Sequence, residues 1–197
     1  VRGEAPELVE IAIPAGTVLQ IPVQSAQGSG HIGRASVIKD AGDDPDITHG
    51  VEIIAELQLT PEQPEIVFRA GAGIGTVTLP GLQIPVGEPA INPVPRQMIS
   101  QAIQPLLPTG YGAVVTLSIP AGETLARRTL NPTLGIVGGL SIIGTTGIVE
   151  PMSEEAFKNS LKPQINVAKA LGFQSIVMVP GKIGQDFAVH RYGMPAA

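Results

Sequence analysis

The chain has 197 residues, with 43% hydrophobic side chains, 24 glycines, 19 prolines and a formal net charge of −5. This length allows one large domain or two small ones, and the hydrophobic content argues against global disorder. The absence of cysteine excludes disulfides and thiolate chemistry, and three scattered histidines make a zinc site unfavourable. The acidic balance, with two Tyr and four Phe, disfavours a general nucleic-acid binder.

The sequence as given carries no recognisable membrane or secretion signal. Its longest nearly apolar run, residues 134–143, is too short to cross a bilayer, and no signal peptide is evident. We therefore expect a cytoplasmic protein that has neither a membrane nor a nucleic-acid partner. Because the chain begins at Val1 rather than at methionine, we also expect it to be a piece of a longer protein.

Short strands and turns are predicted over the first part of the chain. Residues 8–13 and 17–23 predict the two strands of a hairpin joined at Pro14-Ala15-Gly16. The word Ile-Pro-Ala-Gly recurs at residues 119–122, which leaves a duplicated hairpin as an alternative to a chance repeat. Residues 35–38 predict a short buried strand.

Two helices and two further strands are predicted next. Thr48 suits an N-cap, and the apolar side chains at positions 51, 54, 55 and 57 predict a helix. Residues 65–69 and 75–79 predict strands. The proline-containing residues 83–94 predict an ordered loop, which leads into a second helix over residues 96–107.

The last third of the chain has a different pattern. A glycine-interrupted apolar strand is predicted at residues 134–140, followed by a helix that begins at Ser153, is kinked by Pro163 and ends near Gly172. The mostly apolar residues 175–179 then predict a buried strand. Strand, helix and strand in this order suggest a βαβ unit in a parallel sheet.

The predicted fold class is mixed α+β. A strand-rich N-terminal region with two helices precedes a small α/β unit of the βαβ type with parallel strands. We place a boundary near residue 130, which gives a mixed α+β domain over residues 1–130 and the truncated start of an α/β domain over residues 131–197.

Residues 28–33 spell G-x-G-x-x-G, the pattern of a dinucleotide-binding turn. Such a turn must open a helix, whereas these glycines lead into the strand-like residues 34–38. We therefore interpret the segment as a flexible loop or bulge rather than as a nucleotide site.

A short acidic segment contains Asp40, Asp43, Asp44 and Asp46. Its spacing, with proline at the sixth position, does not fit an EF-hand loop. Two interpretations remain open. The carboxylates belong either to a solvated turn with a helix cap, or to a catalytic or binding cleft in which mutual repulsion raises one pKa and makes that group a base.

Two further segments have a functional and a structural interpretation. Prolines in residues 87–96 lower the entropy cost of holding Glu88, Asn92 and Arg96 in place, although a rigid connection alone would also explain them. The pair Arg127-Arg128 either clamps substrate carboxylates or is solvated.

The segment from residue 131 to residue 153 carries five glycines and almost no side chain suited to acid–base chemistry. Glycine at this density lets the backbone approach another strand or a ligand closely. The segment delivers the chain into a predicted helix N-terminus, which favours the polar tail of a ligand. Taken together, the residues of the whole chain indicate a ligand-binding α/β protein.

Four segments, spread in order over nearly the whole chain, together resemble one family; they are residues 35–46, 87–96, 131–153 and 180–187. The words Asp-Ala-Gly-Asp-Asp-Pro-Asp and Gly-Thr-Thr-Gly-Ile-Val-Glu-Pro-Met-Ser are the most specific. The family is that of the cobalt-precorrin-5B C-1-methyltransferases of anaerobic cobalamin (vitamin B12) biosynthesis. Its members are longer than this chain, so this piece need not be active alone.

The resemblance implies transfer of a methyl group from S-adenosylmethionine to C-1 of a cobalt-bearing tetrapyrrole, with no protein-bound metal. The catalytic candidates are Asp40, Asp43, Asp44 and Asp46. The methyl-donor candidates, in the glycine-rich turn and in a loop over residues 180–184, are Gly138, Gly139, Gly144, Thr145, Thr146, Gly147, Gly181 and Gly184. The candidates for binding the substrate's acetate and propionate groups are Arg34, Lys39, Glu88, Asn92, Arg96 and Arg127.

On this interpretation residues 1–130 bind the substrate and residues 131–197 bind the methyl donor. The partner is a small tetrapyrrole, and a homo-oligomer is compatible with the sequence. Two alternatives remain: a non-catalytic tetrapyrrole-binding or structural module, and a methyltransferase for another substrate.

Overall fold

The computed structural model describes residues 5–14, 16–144, 147–148, 154–179 and 181–193, except for the side chains of residues 154–157 and 182. Within these residues the strands, in chain order, are β1 (Leu8–Ala12), β2 (Val18–Pro22), β3 (Ser25–Ser29), β4 (Ile32–Ile38), β5 (Glu52–Pro61), β6 (Ile66–Ala70), β7 (Gly73–Ile74), β8 (Thr76–Val77), β9 (Tyr111–Ser118), β10 (Ile136–Val137) and β11 (Gly139–Leu140). The α-helices are α1 (Pro93–Ile103), α2 (Gly122–Ala126), α3 (Glu154–Ala170) and α4 (Gly181–Tyr192). The predicted mixed α+β class is confirmed.

A five-stranded sheet, ordered β3-β4-β5-β9-β6, organises the molecule. Its neighbours are antiparallel except β6 and β9, which are parallel. One face forms the larger core, where Val115 and Leu117 of β9 and Phe68 of β6 are buried. Ile99 and Ile103 of α1 pack against this face. The helix predicted over residues 96–107 is confirmed in part, since it begins earlier, at Pro93, and ends at Ile103.

The helix predicted from Thr48 through residue 57 is wrong, because these residues lead into and form β5. The apolar positions fit a helical stripe, but residues 53, 55, 57 and 59 alternate equally well. β5 lies between β4 and β9, and its backbone is paired on both sides. Sheet pairing therefore overrides the local helical pattern.

The first predicted hairpin is confirmed, since β1 pairs antiparallel with β2 around residues 13–17. The second is not formed: after β9 the Ile-Pro-Ala-Gly word turns into α2. Ile119 donates its N–H to the Ala72 carbonyl instead of pairing with a following strand. The G-x-G-x-x-G word joins β3 to β4 as a hairpin, with Gly30 at φ +56°, which agrees with its non-nucleotide interpretation.

Two short ladders attach the glycine-rich segment to the rest of the fold. β10 pairs antiparallel with β8, and β11 pairs parallel with β7. The strand predicted over residues 134–140 is thus broken in two at Gly138, whose φ is +89°. Both ladders join residues on either side of position 130; the division into two domains there remains a prediction.

The last third of the chain departs from its prediction. α3 forms with Pro163 inside it, and Gly172 at φ +82° follows its end, as expected. Residues 175–179 form no strand, and Ile176, Val177 and Met178 are exposed. The predicted βαβ unit is therefore wrong among the described residues, which provide no strand beside this segment. No helix in the described ranges is both long and apolar enough to cross a membrane.

Substitution of Gly139 by alanine is expected to destabilise the fold. A Cβ at this position would overlap the backbone carbonyl of Gly73 and the N–H group of Ile74, which cannot move without breaking the β7–β11 ladder. The expected loss is roughly 2 kcal/mol or more in the free energy of unfolding, measured by urea denaturation followed by circular dichroism. Gly33→Ala is the control, because a Cβ there meets nothing within 4 Å; equal stability of the two variants would contradict this account of the packing.

Candidate functional site

The acidic segment forms the turn that joins β4 to β5. Lys39 binds the Asp46 carboxylate and also donates to the Thr48 hydroxyl. The Thr48 N–H and hydroxyl donate to the other Asp46 oxygen over 2.8 and 2.7 Å. Asp46 is therefore the anchor of this turn, and Thr48, predicted as a helix cap, supports a loop.

The ionised form of Asp46 is favoured by these bonds. Partial burial opposes the charge, but the hydrogen bonds from Lys39 and Thr48 and the attraction of the ammonium group outweigh it, so the pKa of Asp46 is lowered. A carboxylate with a lowered pKa is a weak proton acceptor. For Asp46, the structure therefore favours an anchoring role in the turn over the role of a catalytic base.

The other three carboxylates of the turn are held less firmly. Asp40 accepts the Gly42 N–H at 2.8 Å and lies 3.9 Å from the His49 imidazole. His49 in turn accepts the Ala41 N–H at its Nδ1 atom. The side chains of Asp43 and Asp44 make no hydrogen bond or ion pair with the residues that the structure describes, so they are available to a ligand.

The glycine-rich segment contains an exposed glycine, Gly138, next to a buried one, Gly139. Gly138 is exposed in the turn between β10 and β11, with nothing within 4 Å of the point that a Cβ would occupy. Gly139 is buried against β7, and its carbonyl accepts a hydrogen bond from the Asn131 side chain at 3.0 Å. Asn131 also accepts from Ser141, which makes it a buried clamp that sequence reasoning missed.

Beyond β11 this segment is bonded to the proline-rich loop. Ile142 donates its N–H to the Ala90 carbonyl at 2.8 Å and accepts the Asn92 N–H at 2.9 Å. Gly144 then lies against Pro95, and Gly147 against Ile13 of the first hairpin. Thr145 and Thr146, two of the predicted methyl-donor residues, lie outside the described residues.

The loop of residues 87–96 holds its arginine in a fixed position. Arg96 donates to the carbonyls of Ile91 and Pro89 at 2.8 and 3.0 Å, and both its terminal nitrogens lie 3.3 Å from one oxygen of Glu88. Its guanidinium carbon lies 5.5 Å from the ring centroid of Phe68. Asn92 caps α1 without a side-chain hydrogen bond.

An open groove of about 570 Å³ lies between this loop and the edge strand β6. Glu88, Pro89 and Arg96 line one side, and Phe68 and Arg69 belong to the other. Two predicted substrate-binding residues thus share this groove. Phe68 and Arg69 were missed because nothing in the sequence links β6 to a loop some twenty residues later.

The topology brings the acidic turn and the glycine-rich segment to the same end of the sheet. β4, β6 and β9 run in the same direction, so their carboxyl ends lie together. The acidic turn follows β4. β7 follows β6 and pairs with β11 of the glycine-rich segment. Loops positioned by a rigid sheet often carry binding residues, so the two segments are considered together.

Other predicted residues are not brought into this group by any described contact. Arg34 is exposed on β4, and Arg127 forms an exposed pair with Glu123 at 3.9 Å on α2. Gly181 and Gly184 belong to α4, so the ligand loop predicted over residues 180–184 is wrong from residue 181 onward; Pro180 lies outside the described residues. Among the described residues no group of three or more His, Asp or Glu side chains is placed to hold a metal.

Asp46→Asn is expected to lower stability in a pH-dependent way. Because the folded-state pKa lies below the ordinary value of 3.8, the ionised carboxylate stabilises the fold fully above that value, and this contribution is lost as the pH falls through the lowered pKa. The expected loss is roughly 1–2 kcal/mol at pH 7, and it shrinks as the pH falls below 3.8, as measured by urea denaturation from neutral to acidic pH. Asp43→Asn is the control; an equal loss in both variants at pH 7 would contradict the anchoring role of Asp46.

Comparison with known proteins identifies the relatives of this chain. The chain is similar to the cobalt-precorrin-5B C(1)-methyltransferase of Moorella thermoacetica, with 54% identity over 99% of this chain and 53% of that protein. The protein of the same name from Methanocaldococcus jannaschii is 51% identical over 94% of this chain and 51% of its own length. The chain thus spans about half the length of the curated relatives it matches.

A solved structure and a family model extend this comparison. The crystal structure of the cobalamin biosynthesis protein CbiD from Archaeoglobus fulgidus matches with a TM-score of 0.50 and 26% identity, over 96% of this chain and 60% of that one. The family model described as CbiD matches residues 1–151, well over half of the chain. With relatives named consistently at this level of identity, the chain belongs to the CbiD family.

Proposed function

We propose that this chain carries part of a cobalt-precorrin-5B C(1)-methyltransferase, which methylates its substrate at C-1 with S-adenosylmethionine as the methyl donor. The observation that carries the proposal is the 54% and 51% identity, over nearly the whole chain, to relatives of that name. The substrate is a small tetrapyrrole, and the proposed setting is the cytoplasm, with homo-oligomerisation compatible.

In the proposed reaction the nucleophilic carbon of the ring forms a bond to the methyl group while the methyl–sulfur bond breaks. The sulfonium becomes the neutral thioether of S-adenosylhomocysteine, and a proton leaves the ring system. Because the donor is already activated, the protein mainly has to align the two reactants and exclude water. Backbone-lined turns and fixed charged groups suit that task.

For the donor we propose the exposed backbone that begins at Gly138. The Asn131 clamp and the β7–β11 ladder hold this turn rigidly, while Gly138 itself leaves open space. The turn is connected through Ile142 to the loop that holds Arg96. A donor bound at this turn and a substrate bound along the loop would therefore lie on two segments that are hydrogen-bonded to each other.

For removal of the proton we propose Asp43 or Asp44. Both follow β4 at the end of the sheet that also carries β11, and both lack a described side-chain partner. Asp46 is committed to Lys39 and Thr48. Lys39 is likewise engaged, which makes its proposed contact with substrate carboxylates less favourable than that of Arg96.

Gly138→Val is expected to weaken binding of S-adenosylhomocysteine to the chain by roughly tenfold or more, because the branched side chain fills the space proposed for the donor. Isothermal titration calorimetry measures the affinity. Gly30→Val is the control: Gly30 also has a positive φ and open space at Cβ, but it lies in the β3–β4 hairpin. Equal loss in both variants would indicate backbone strain, and absence of binding by the unaltered, folded chain would count against a donor site at Gly138.

Of the variants Asp43→Asn and Asp44→Asn, one is expected to lower the rate of methyl transfer strongly and the other only slightly. The residue that accepts the proton should lower the rate of methyl transfer by roughly a hundredfold or more, since general-base catalysis contributes at that level. Transfer of a labelled methyl group to cobalt-precorrin-5B measures the rate, with each variant made in the full-length enzyme that contains this chain and the Moorella protein as positive control. Glu62→Gln, in the turn after β5 at the opposite end of the sheet, is the matched control; unchanged rates in both aspartate variants would remove the carboxylates from the mechanism.

A further inference from the structure

We propose that the groove beside β6 is a carboxylate subsite in which Glu88 occupies, in the free protein, the place that a carboxylate of the ligand takes on Arg96. The class of ligand, a tetrapyrrole that bears carboxylates, is taken from the proposed function, on which this inference rests. It changes the role of Glu88 from a substrate-binding residue to one that the substrate displaces.

The guanidinium group of Arg96 is positioned independently of Glu88. Two backbone carbonyls, of Ile91 and Pro89, accept its hydrogen bonds at 2.8 and 3.0 Å, and the Phe68 ring lies beneath it. The carbonyl of Pro89 is itself part of a loop fixed by the pairing of Pro89 with Thr76. Removing Glu88 would therefore leave the cation where it is and expose its outer edge to the groove.

The hydrogen bonds between Glu88 and Arg96 are the longest that Arg96 makes. Both guanidinium nitrogens reach the same carboxylate oxygen at 3.3 Å, rather than one oxygen each in the short, parallel geometry that arginine favours. The Glu88 side chain is 47% exposed, against 26% for Arg96. An exposed, long ion pair contributes little to stability, so a ligand carboxylate can replace it at low cost.

The β6 edge supplies further donors on the opposite wall. Ala113 donates to the carbonyl of Glu65, and Gly71 donates to that of Leu117, so the odd-numbered residues of β6 bond to β9. The N–H groups of Phe68 and Ala70 must then point away from β9, toward the groove. No described residue accepts a hydrogen bond from either of them.

The charge and shape of the groove suit an anionic ligand. Among its described lining residues, the charged side chains are Arg69, Arg96 and Glu88, which leave one positive charge in excess and two once Glu88 is displaced. A volume of about 570 Å³ falls within the range of small-molecule sites. Gly87, on the rim, leaves open space where any larger residue would place its side chain.

The test is a fluorescence titration of the chain with uroporphyrin I, a metal-free tetrapyrrole polycarboxylate. Glu88→Gln is expected to bind it roughly three- to tenfold more tightly, because a competing negative charge is removed. Glu123→Gln, which removes the same charge from an exposed pair on α2, should stay within about twofold of the unaltered chain.

Two further variants examine the donors on the two walls. Arg96→Gln is expected to weaken binding by roughly tenfold or more, since it removes the cation that the carboxylate contacts. Ala70→Pro deletes a groove-facing N–H that the ladder does not use, and should weaken binding roughly three- to tenfold while leaving the melting temperature nearly unchanged.

The signs of these effects decide the proposal. Weaker binding by Glu88→Gln, or an effect equal to that of Glu123→Gln, would overturn the displacement of Glu88. Failure of the unaltered chain to bind uroporphyrin I, while it still binds S-adenosylhomocysteine, would overturn the subsite and leave the methyltransferase proposal standing. Conversely, the predicted pattern of uroporphyrin affinities without any binding of S-adenosylhomocysteine would support the subsite and count against the donor site proposed at Gly138.

Discussion

The close approach of three glycine backbones holds the candidate site together. The Gly73 carbonyl lies where a Cβ of either Gly122 or Gly139 would have to be, so β7, the start of α2 and β11 meet without side chains between them. This contact fixes the glycine-rich segment to the end of the five-stranded sheet. Ile142 then continues it to the loop that holds Arg96. A side chain at this joint would disturb both the turn at Gly138 and the loop that holds Arg96.

Charged groups near the site are arranged in two ways. Lys39, Asp46 and Thr48 form a partly buried cluster whose partners satisfy one another, which suits the anchoring of a turn. Arg96 is fixed instead by backbone carbonyls and an aromatic ring, while its carboxylate partner is exposed and bound through two long hydrogen bonds. A cation whose position does not depend on its counterion can exchange that counterion for a ligand. In sequence, each cluster is a basic and an acidic residue a few positions apart. In the structure they differ because Arg96 donates to two backbone carbonyls, whereas Lys39 donates to side chains.

Local patterns in the sequence predicted the elements whose stability is local. The β1–β2 hairpin and the end of α3 at Gly172 follow from turn and capping chemistry, whereas α1 begins at Pro93, inside the residues predicted as a loop. β5 could not be predicted, because its apolar spacing fits a helix as well as a strand and pairing with β4 and β9 decides the outcome. Residues 175–179 have strand-forming side chains, but a strand requires a neighbour, which the sequence pattern does not report. Glu88 and Arg96 were predicted as candidates because they lie in one proline-rich loop. Phe68, beneath the guanidinium group, was not predicted, because only the folded chain brings β6 next to that loop.

The glycines of the segment from residue 131 show why a ligand cradle and a packing joint cannot be distinguished by composition. Gly135 lies against Leu79 and Gly139 against Gly73, and both are buried. Their lack of a Cβ is therefore explained by packing, before any ligand is considered. At Gly138 the positive φ explains glycine but leaves the space around it open. A variant at Gly139 that lost donor binding would report on the fold, whereas one at Gly138 reports on the space that a donor would occupy. A donor site in this segment thus depends on the exposed turn, and the buried glycines provide its rigidity.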